Sequence, residues 1–260
     1  MTEILLLVLA GGFVGFLVGL TGVGGGSLMT PLLLLFGFPP HIAIGTDLLY
    51  ASITKASGVY SHSRHSSINW RLVGVMASGS IPASILTTIV LSLWFSDASQ
   101  YAGVLVTSLG VMLILTSIVL LYRTRLLAFR EGASWFSGIM RERTTLLTFS
   151  MGVFLGVFVT LTSVGAGAIG TAVLMVLYPH LTGVRIVGTD LAHAVPLTLV
   201  AGLGHMQLGN IDYTLLLCLL IGSLPATHLG TKLGKHMPSE VLRPVLATML
   251  LLLGLKYAFF

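Results

Sequence analysis

An apolar run from Ile4 to Phe38 is interrupted by Leu20-Thr21-Gly22-Val23-Gly24-Gly25-Gly26-Ser27, which places four glycines in five positions. A helix continued through that stretch costs about 1 kcal/mol per glycine relative to alanine. It therefore reads as a broken helix at membrane depth. Backbone left unpaired in hydrocarbon costs several kcal/mol per group, so such a break persists only where protein or a polar cavity covers it. The bilayer enters through composition: 55% of residues are apolar and 8% are charged, against about 25% charged in ordinary soluble domains. The chain is expected to be an all-α polytopic membrane protein. No basic tract interleaves with aromatics, so nucleic-acid binding has no support. Cys218 is the single cysteine, which excludes an intramolecular disulfide and leaves it a packing role. Met1-Thr2-Glu3 turns apolar at once without the basic n-region of a cleaved leader, so the first segment is expected to be retained.

Spanning hydrocarbon takes about 20 apolar residues. By that measure helical segments are predicted near Glu3–Leu20, Gly26–Gly37, Ala43–Ser61, Trp70–Phe95 and Tyr101–Tyr122. A charged connector, Arg123–Arg143, follows. Further segments are predicted near Thr145–Leu161, Gly167–Leu177, Arg185–His205, Tyr213–Leu233 and Val241–Phe259. The segments at Gly26 and Gly167 are too short to cross alone and read as return arms of glycine-bent hairpins, giving about 8–10 membrane segments in all.

The second half repeats the first. Shifted by 141 residues, Gly11–Gly26 matches Gly152–Gly167 at nine of sixteen positions, including Thr21-x-Val23-Gly24-x-Gly26 against Thr162-x-Val164-Gly165-x-Gly167. Shifted by 143, Gly45-Thr46-Asp47-Leu48 recurs as Gly188-Thr189-Asp190-Leu191, His62 pairs with His205, and Gly79-Ser80-x-Pro82-Ala83 pairs with Gly222-Ser223-x-Pro225-Ala226. The organisation is then a first repeat at 1–122, a connector at 123–144 and a second repeat at 145–260. Five segments per repeat is an odd number, so the copies are expected to lie inverted in the membrane. Arg64, Arg71, Arg123, Arg125, Arg130, Arg141, Arg143, Lys232 and Lys235 all fall in loops after odd-numbered segments. The positive-inside rule makes that face cytoplasmic and puts both termini outside. The opposite loops, Ser96–Gln100 and Met206–Asp212, contain Asp97 and Asp212 without Lys or Arg.

Broken helices at matching places in inverted repeats point to a transporter binding site near the midplane. An arm starting near Gly26-Ser27, and another near Gly167-Ala168, would each present free N–H groups and a positive dipole end to an anion. Close helix packing is the alternative use of such glycines, and it suits Gly11, Gly15 and Gly19. A nucleotide loop is disfavoured, since no strand precedes the glycines and no Gly-Lys-Ser/Thr follows.

Intramembrane carboxylates default to functional hypotheses. Asp47 and Asp190 fit either a coupling proton or a role in bracing and capping, as Thr46 and Thr189 do beside them. Lys55 falls on one polar stripe with Asp47, Thr54, Gly58 and His62; it reads either as a partner for a translocated anion or as a cation snorkelling to the interface. Its counterpart is Thr198. His62 and His205 read as cavity-mouth or interfacial residues and His193 as a helix-face residue near Asp190, any of which has the chemistry to couple a proton. His62-x-x-His65 lacks the Cys or carboxylate cluster that would complete a metal shell, so neither metal nor cofactor is expected. Pro82 and Pro225 are expected to kink their helices.

These residues together resemble the TauE/SafE, or sulfite exporter, family of membrane transport proteins. The resemblance rests on Gly15-x-x-x-Gly19-x-x-Gly22-x-Gly24-Gly25-Gly26, Pro31-Leu32-Leu33, Ala43-x-Gly45-Thr46-Asp47-Leu48, His62 and Gly79-Ser80-x-Pro82, with their second-half equivalents. In the second half Ser163, Ala166 and Ala168 replace Gly22, Gly25 and Ser27. The resemblance implies movement of sulfur oxyanions, sulfite or sulfonates, across the bacterial inner membrane. The residues themselves reach only an anion site at helix N-termini.

The resulting expectation is a secondary carrier, not an enzyme, in which rocking of the repeats exposes the site to either face. Gly24, Gly25, Gly26, Ser27, Thr46, Lys55, Gly165, Gly167 and Thr189 would contact the anion. Asp47, Asp190, His62, His193 and His205 would couple a co- or counter-transported proton or brace the turns. An anion-selective channel using the same dipoles is the alternative.

Overall fold

The computed structural model describes residues 2–21, 26–64, 68–132, 134–234 and 239–259. The described residues form helices and no strand: α1 (Thr2–Thr21), α2 (Gly26–Leu35), α3 (Pro40–Arg64), α4 (Trp70–Trp94), α5 (Ala98–Gly132), α6 (Ser134–Thr162), α7 (Ala168–Leu177), α8 (Gly183–Gln207), α9 (Tyr213–Gly234) and α10 (Ser239–Phe259). These match the sequence expectation segment by segment. The connector is the exception, because α5 runs on to Gly132 and α6 already begins at Ser134. Its Leu, Ala, Arg and Glu are good helix formers and it lacks proline, so the helices extend into it. Pro82 and Pro225 are held inside α4 and α9.

Five helical stretches among the described residues are long and apolar enough to cross a bilayer: Trp70–Trp94, Ala98–Tyr122, Arg143–Thr162, Gly183–Gln207 and Tyr213–Gly230. Shorter apolar helices cover Ile4–Leu20, Ala168–Leu177 and Pro244–Phe259. α2 and α7 have ten residues each, about 15 Å at the helical rise, half the hydrocarbon thickness. The distribution of side chains is that of a protein solvated by lipid. Leu9, Phe13, Leu86, Leu93, Ile221 and Leu252 are exposed, while Thr46, Asp47, Lys55, Thr116, Thr160, Asp190, His193 and Thr198 are buried.

The halves are interleaved. α1 packs along α9, α6 along α4, α5 along α10 and α3 along α8, so the most extensive helix contacts all join one half to the other. Exchanging α1–α5 for α6–α10 maps this set of contacts onto itself. The correspondence reaches individual residues: a Cβ at Gly11 would strike the Leu219 backbone and one at Gly15 the Ser223 backbone, while Gly152 and Gly156 lie equally tightly on Met76 and Ser80. Small residues let these backbones approach closely, which is how helices associate in lipid. That is the packing role expected of Gly11 and Gly15.

Candidate substrate site at the second helix break

α6 ends at Thr162 and α7 starts at Ala168. Between them Ser163, Gly165 and Gly167 have φ of 59°, 116° and 121°. The glycines take such angles without a Cβ penalty, which is why the helix breaks here. The Thr162 hydroxyl fixes the exit, accepting from the Val164 N–H at 3.1 Å and donating to the Phe158 carbonyl at 2.6 Å. Gly167 caps α7 without a side-chain hydrogen bond, leaving the helix start to its own dipole and neighbours. The matching residues Gly22, Val23, Gly24 and Gly25 lie outside the described residues. α2 nevertheless opens at Gly26, as expected. Leu28 and Met29 share a buried cluster with Val164, Ala168 and Ile169, which draws the two short helices into one core.

Each short helix is clamped to a carboxylate. The Thr30 hydroxyl on α2 donates to Asp47 Oδ2 at 2.5 Å, and the Thr171 hydroxyl on α7 donates to Asp190 Oδ2 at 3.0 Å. The single Thr171 hydroxyl proton is shared with the Gly167 carbonyl, and the Gly167 N–H is directed at Asp190. A Cβ at Gly170 would overlap the Asp190 carboxylate, so α7 and α8 touch through that carboxylate. Capping of their own helices, one of the roles open to Asp47 and Asp190 from the sequence, is corrected: α3 starts at Pro40 and α8 at Gly183, seven residues earlier in each case. Proline suits the first helical position, and Thr182 caps α8 by accepting from the Arg185 N–H. The carboxylates therefore brace a neighbouring helix and do not cap their own. Thr30 and Thr171 were missed in the sequence, although the 141-residue shift pairs them.

Lys55 is 3% exposed, and its Nζ lies 3.5 Å from the Ala166 carbonyl inside the second break. It does not snorkel. Its charge reaches both Asp47 and Asp190, yet no carboxylate among the described residues forms a salt bridge with it. Ser163 lies beside the Asp47 carboxylate. Asp190 Oδ1 and His193 Nδ1 are buried without a hydrogen-bond partner among the described residues, and the Ser163 hydroxyl is buried against the Asp47 carboxylate. Unpaired buried polar atoms are costly, which makes the surround of Lys55 at the second break the candidate site.

Thr46 and Thr189 serve other partners. The Thr46 hydroxyl accepts from the Asp212 N–H at 3.1 Å, and the Thr189 hydroxyl accepts from the Asn69 N–H at 2.9 Å. Asn69 and Asp212 precede α4 and α9, so each threonine ties a long helix of one half to a helix entry of the other. His205 is corrected from a cavity-mouth residue to a buried one. Its Nε2 faces the Thr160 carbonyl at 2.9 Å and its Nδ1 faces Asn210 Nδ2 at 3.1 Å, while Asn210 also donates to the Tyr101 hydroxyl at 2.8 Å. A carbonyl only accepts, so Nε2 carries the proton. Of Gly26, Ser27 and His62 only the helical backbone is described; His65 and Lys235 lie outside the described residues.

Lipid-exposed apolar helices, half-length arms after glycine breaks and a buried cation at one break define a multi-pass membrane transport protein. The chain belongs to the sulfite exporter TauE/SafE family, which it matches over residues 7–257. It is 40% identical over 250 residues to the probable membrane transporter protein YjnA of Bacillus subtilis, covering 96% of this chain and 98% of that one. It is 31% identical to the probable membrane transporter protein YdhB of the same organism, over 95% of this chain and 100% of the relative. The probable membrane transporter protein MJ0441 of Methanocaldococcus jannaschii is 28% identical over 96% and 93% of the respective chains. No solved structure gives a significant match.

Proposed function

We propose that this chain is a secondary transporter that moves a small sulfur oxyanion, sulfite or a sulfonate, across the inner membrane by alternating access. The observation that carries the reading is Lys55, buried with its Nζ against the Ala166 carbonyl in the second break and without a salt bridge among the described residues. A charge taken out of water needs a partner, and an anion at the break completes it. The start of α7 adds the positive end of a helix dipole. The choice of sulfur oxyanions rests on family membership.

In this reading the anion sits nearer the second break than the first, with Lys55, Gly165, Gly167 and the Ser163 hydroxyl around it. From the other half α2 opens at Gly26; the contacts expected of Gly24 and Gly25 lie outside the described residues. Asp47 and Asp190 hold the short helices in place. The basic loops and the connector lie in the cytoplasm, the halves are inverted and both termini are outside. The interleaved packing of α1 with α9 and α6 with α4 favours moving bundles drawn from both halves over the rocking of one repeat against the other.

Flux of radiolabelled sulfite and of isethionate into proteoliposomes tests the reading, with saturable uptake expected. Gly167→Val would put a branched side chain at a φ of 121°, which L-residues rarely adopt; it should abolish flux while membrane insertion persists. Full flux from that variant, or wild-type protein that moves and binds no oxyanion, would overturn the proposal. Single-channel currents would replace the carrier by a channel.

A further inference from the structure

His193 and Tyr50 occupy matched positions under the 143-residue shift, as do Ser80 and Ser223. The structure uses them in parallel. Ser80 Oγ lies 2.8 Å from His193 Nε2, and the Tyr50 hydroxyl lies beside Ser223. His193 is 0% and Tyr50 1% exposed. The halves thus share a ring-to-serine contact between a long helix and the Ser-x-Pro stretch of α4 or α9. In one half the ring is a phenol, inert near neutral pH. In the other it is an imidazole, the side chain whose charge changes there.

His193 also differs in what it leaves open. Nδ1 is buried with no hydrogen-bond partner among the described residues. The charge whose field reaches the ring comes from α3 and is Lys55, itself unmatched in the other half, where Thr198 stands. Asp47 lies on α3 and Asp190 one turn earlier on α8; α7 carries no charged residue, the charged residue of α4 is Arg71, exposed at its first turn, and those of α6, the other helix packed on α8, are Arg141, Glu142 and Arg143, about five turns before its end at Thr162. A second positive charge near Lys55 in a low-dielectric interior is unfavourable by Coulomb's law until a negative charge joins them. Anion and proton therefore favour each other's binding, and by linkage the effect is reciprocal.

We propose that His193 is the proton-carrying residue of the site: it takes a proton from water on the face to which the site is open when the anion binds, and returns it when the anion leaves. The proposal rests on the anion-transport reading. In the loaded state Nε2–H donates to Ser80 Oγ and Nδ1–H is the donor available to the anion. No bond other than N–H forms or breaks, and the proton comes from and returns to water.

The experiment reads protons moved per anion in proteoliposomes of the full chain. A pH-sensitive dye is sealed inside, and radiolabelled sulfite, thiosulfate and isethionate serve as probes. Any proton carried by the anion itself cancels when variants are compared with the same probe. His193→Gln keeps a polar group near the Nε2 position but does not titrate, and should move about one proton fewer per anion than wild type, whatever its residual rate. An unchanged proton-to-anion ratio overturns the role of His193. Should the glutamine variant fail to insert, Ser80→Ala retains the imidazole and removes its partner. The pH midpoint of its anion flux should then shift, and an unmoved midpoint counts against the proposal. Absence of flux and exchange for all three anions in wild type would instead overturn the transport reading itself, and this proposal with it.

Discussion

The two halves of this chain place equivalent residues in equivalent contacts and then differ at a few positions. Thr30 and Asp47 do in one half what Thr171 and Asp190 do in the other. Thr46 engages the entry to α9 as Thr189 engages the entry to α4. Among the differences are Lys55 against Thr198, His193 against Tyr50, and Ser163 against Gly22. Lys55 contacts the second break, Ser163 belongs to it, and His193 lies within reach of the Lys55 charge. The shared residues build the scaffold. The unshared ones give the second break a chemistry that symmetry alone would not supply.

The largest expected effect breaks this comparison at its charged member. Lys55→Gln removes a charged hydrogen-bonding group, worth about 1.5–3 kcal/mol. Anion affinity measured by flux saturation should fall roughly tenfold to a hundredfold by that figure. Wild-type affinity in this variant would show that the buried cation is structural. Gly170→Ala comes next, since its methyl would overlap the Asp190 carboxylate. Overpacking of this kind costs about 1–3 kcal/mol and should lower the unfolding temperature in detergent. Gly58→Ala, whose Cβ would meet Leu191 Cδ1 at 3.7 Å, should leave it unchanged.

Thr30→Val and Thr171→Val examine the shared scaffold. Each leaves a buried carboxylate short of one donor, at about 1–3 kcal/mol, and the two losses in thermal stability should be equal within error. Unequal losses would show that the clamp is itself asymmetric. Ser163→Gly has the smallest effect. It restores the residue found at the matched position and relieves a left-handed φ of 59°, a gain of about 1 kcal/mol in unfolding free energy. Its anion affinity should weaken even as stability rises; a variant improved in both would remove Ser163 from the site.

Much of this was legible before any coordinates. The order of the segments followed from apolar length, and the break at Leu161–Ala168 followed from glycine where a helix needs side chains that hold φ negative. The 141- and 143-residue shifts carried the pairing of Thr30 with Thr171 as well, unread because a lone threonine in an apolar helix looks like packing. Whether Lys55 snorkels is a tertiary matter: a long stem reaches either interface or interior, and only the arrival of Ala166 from the other half decides. His205 was misplaced for a similar reason, since three polar neighbours from α5, α6 and the loop before α9 bury it. The interleaving of the halves was invisible too. Small residues mark which face of a helix is approached closely, without marking which helix approaches.

That interleaving sets the order in which the protein can be assembled. α1 is made long before its main partner α9, which does not begin until Tyr213. Through most of synthesis the flat glycine surface at Gly11 and Gly15 has no mate, and the same holds for α5 until α10 is made. Contacts between such distant stretches of chain form late and slowly. The early helices must wait in the bilayer as inserted but unpaired rods. A deletion of α9 and α10 alone would leave most of the sequence present while leaving α1 and α5 permanently without the surfaces they were shaped to meet.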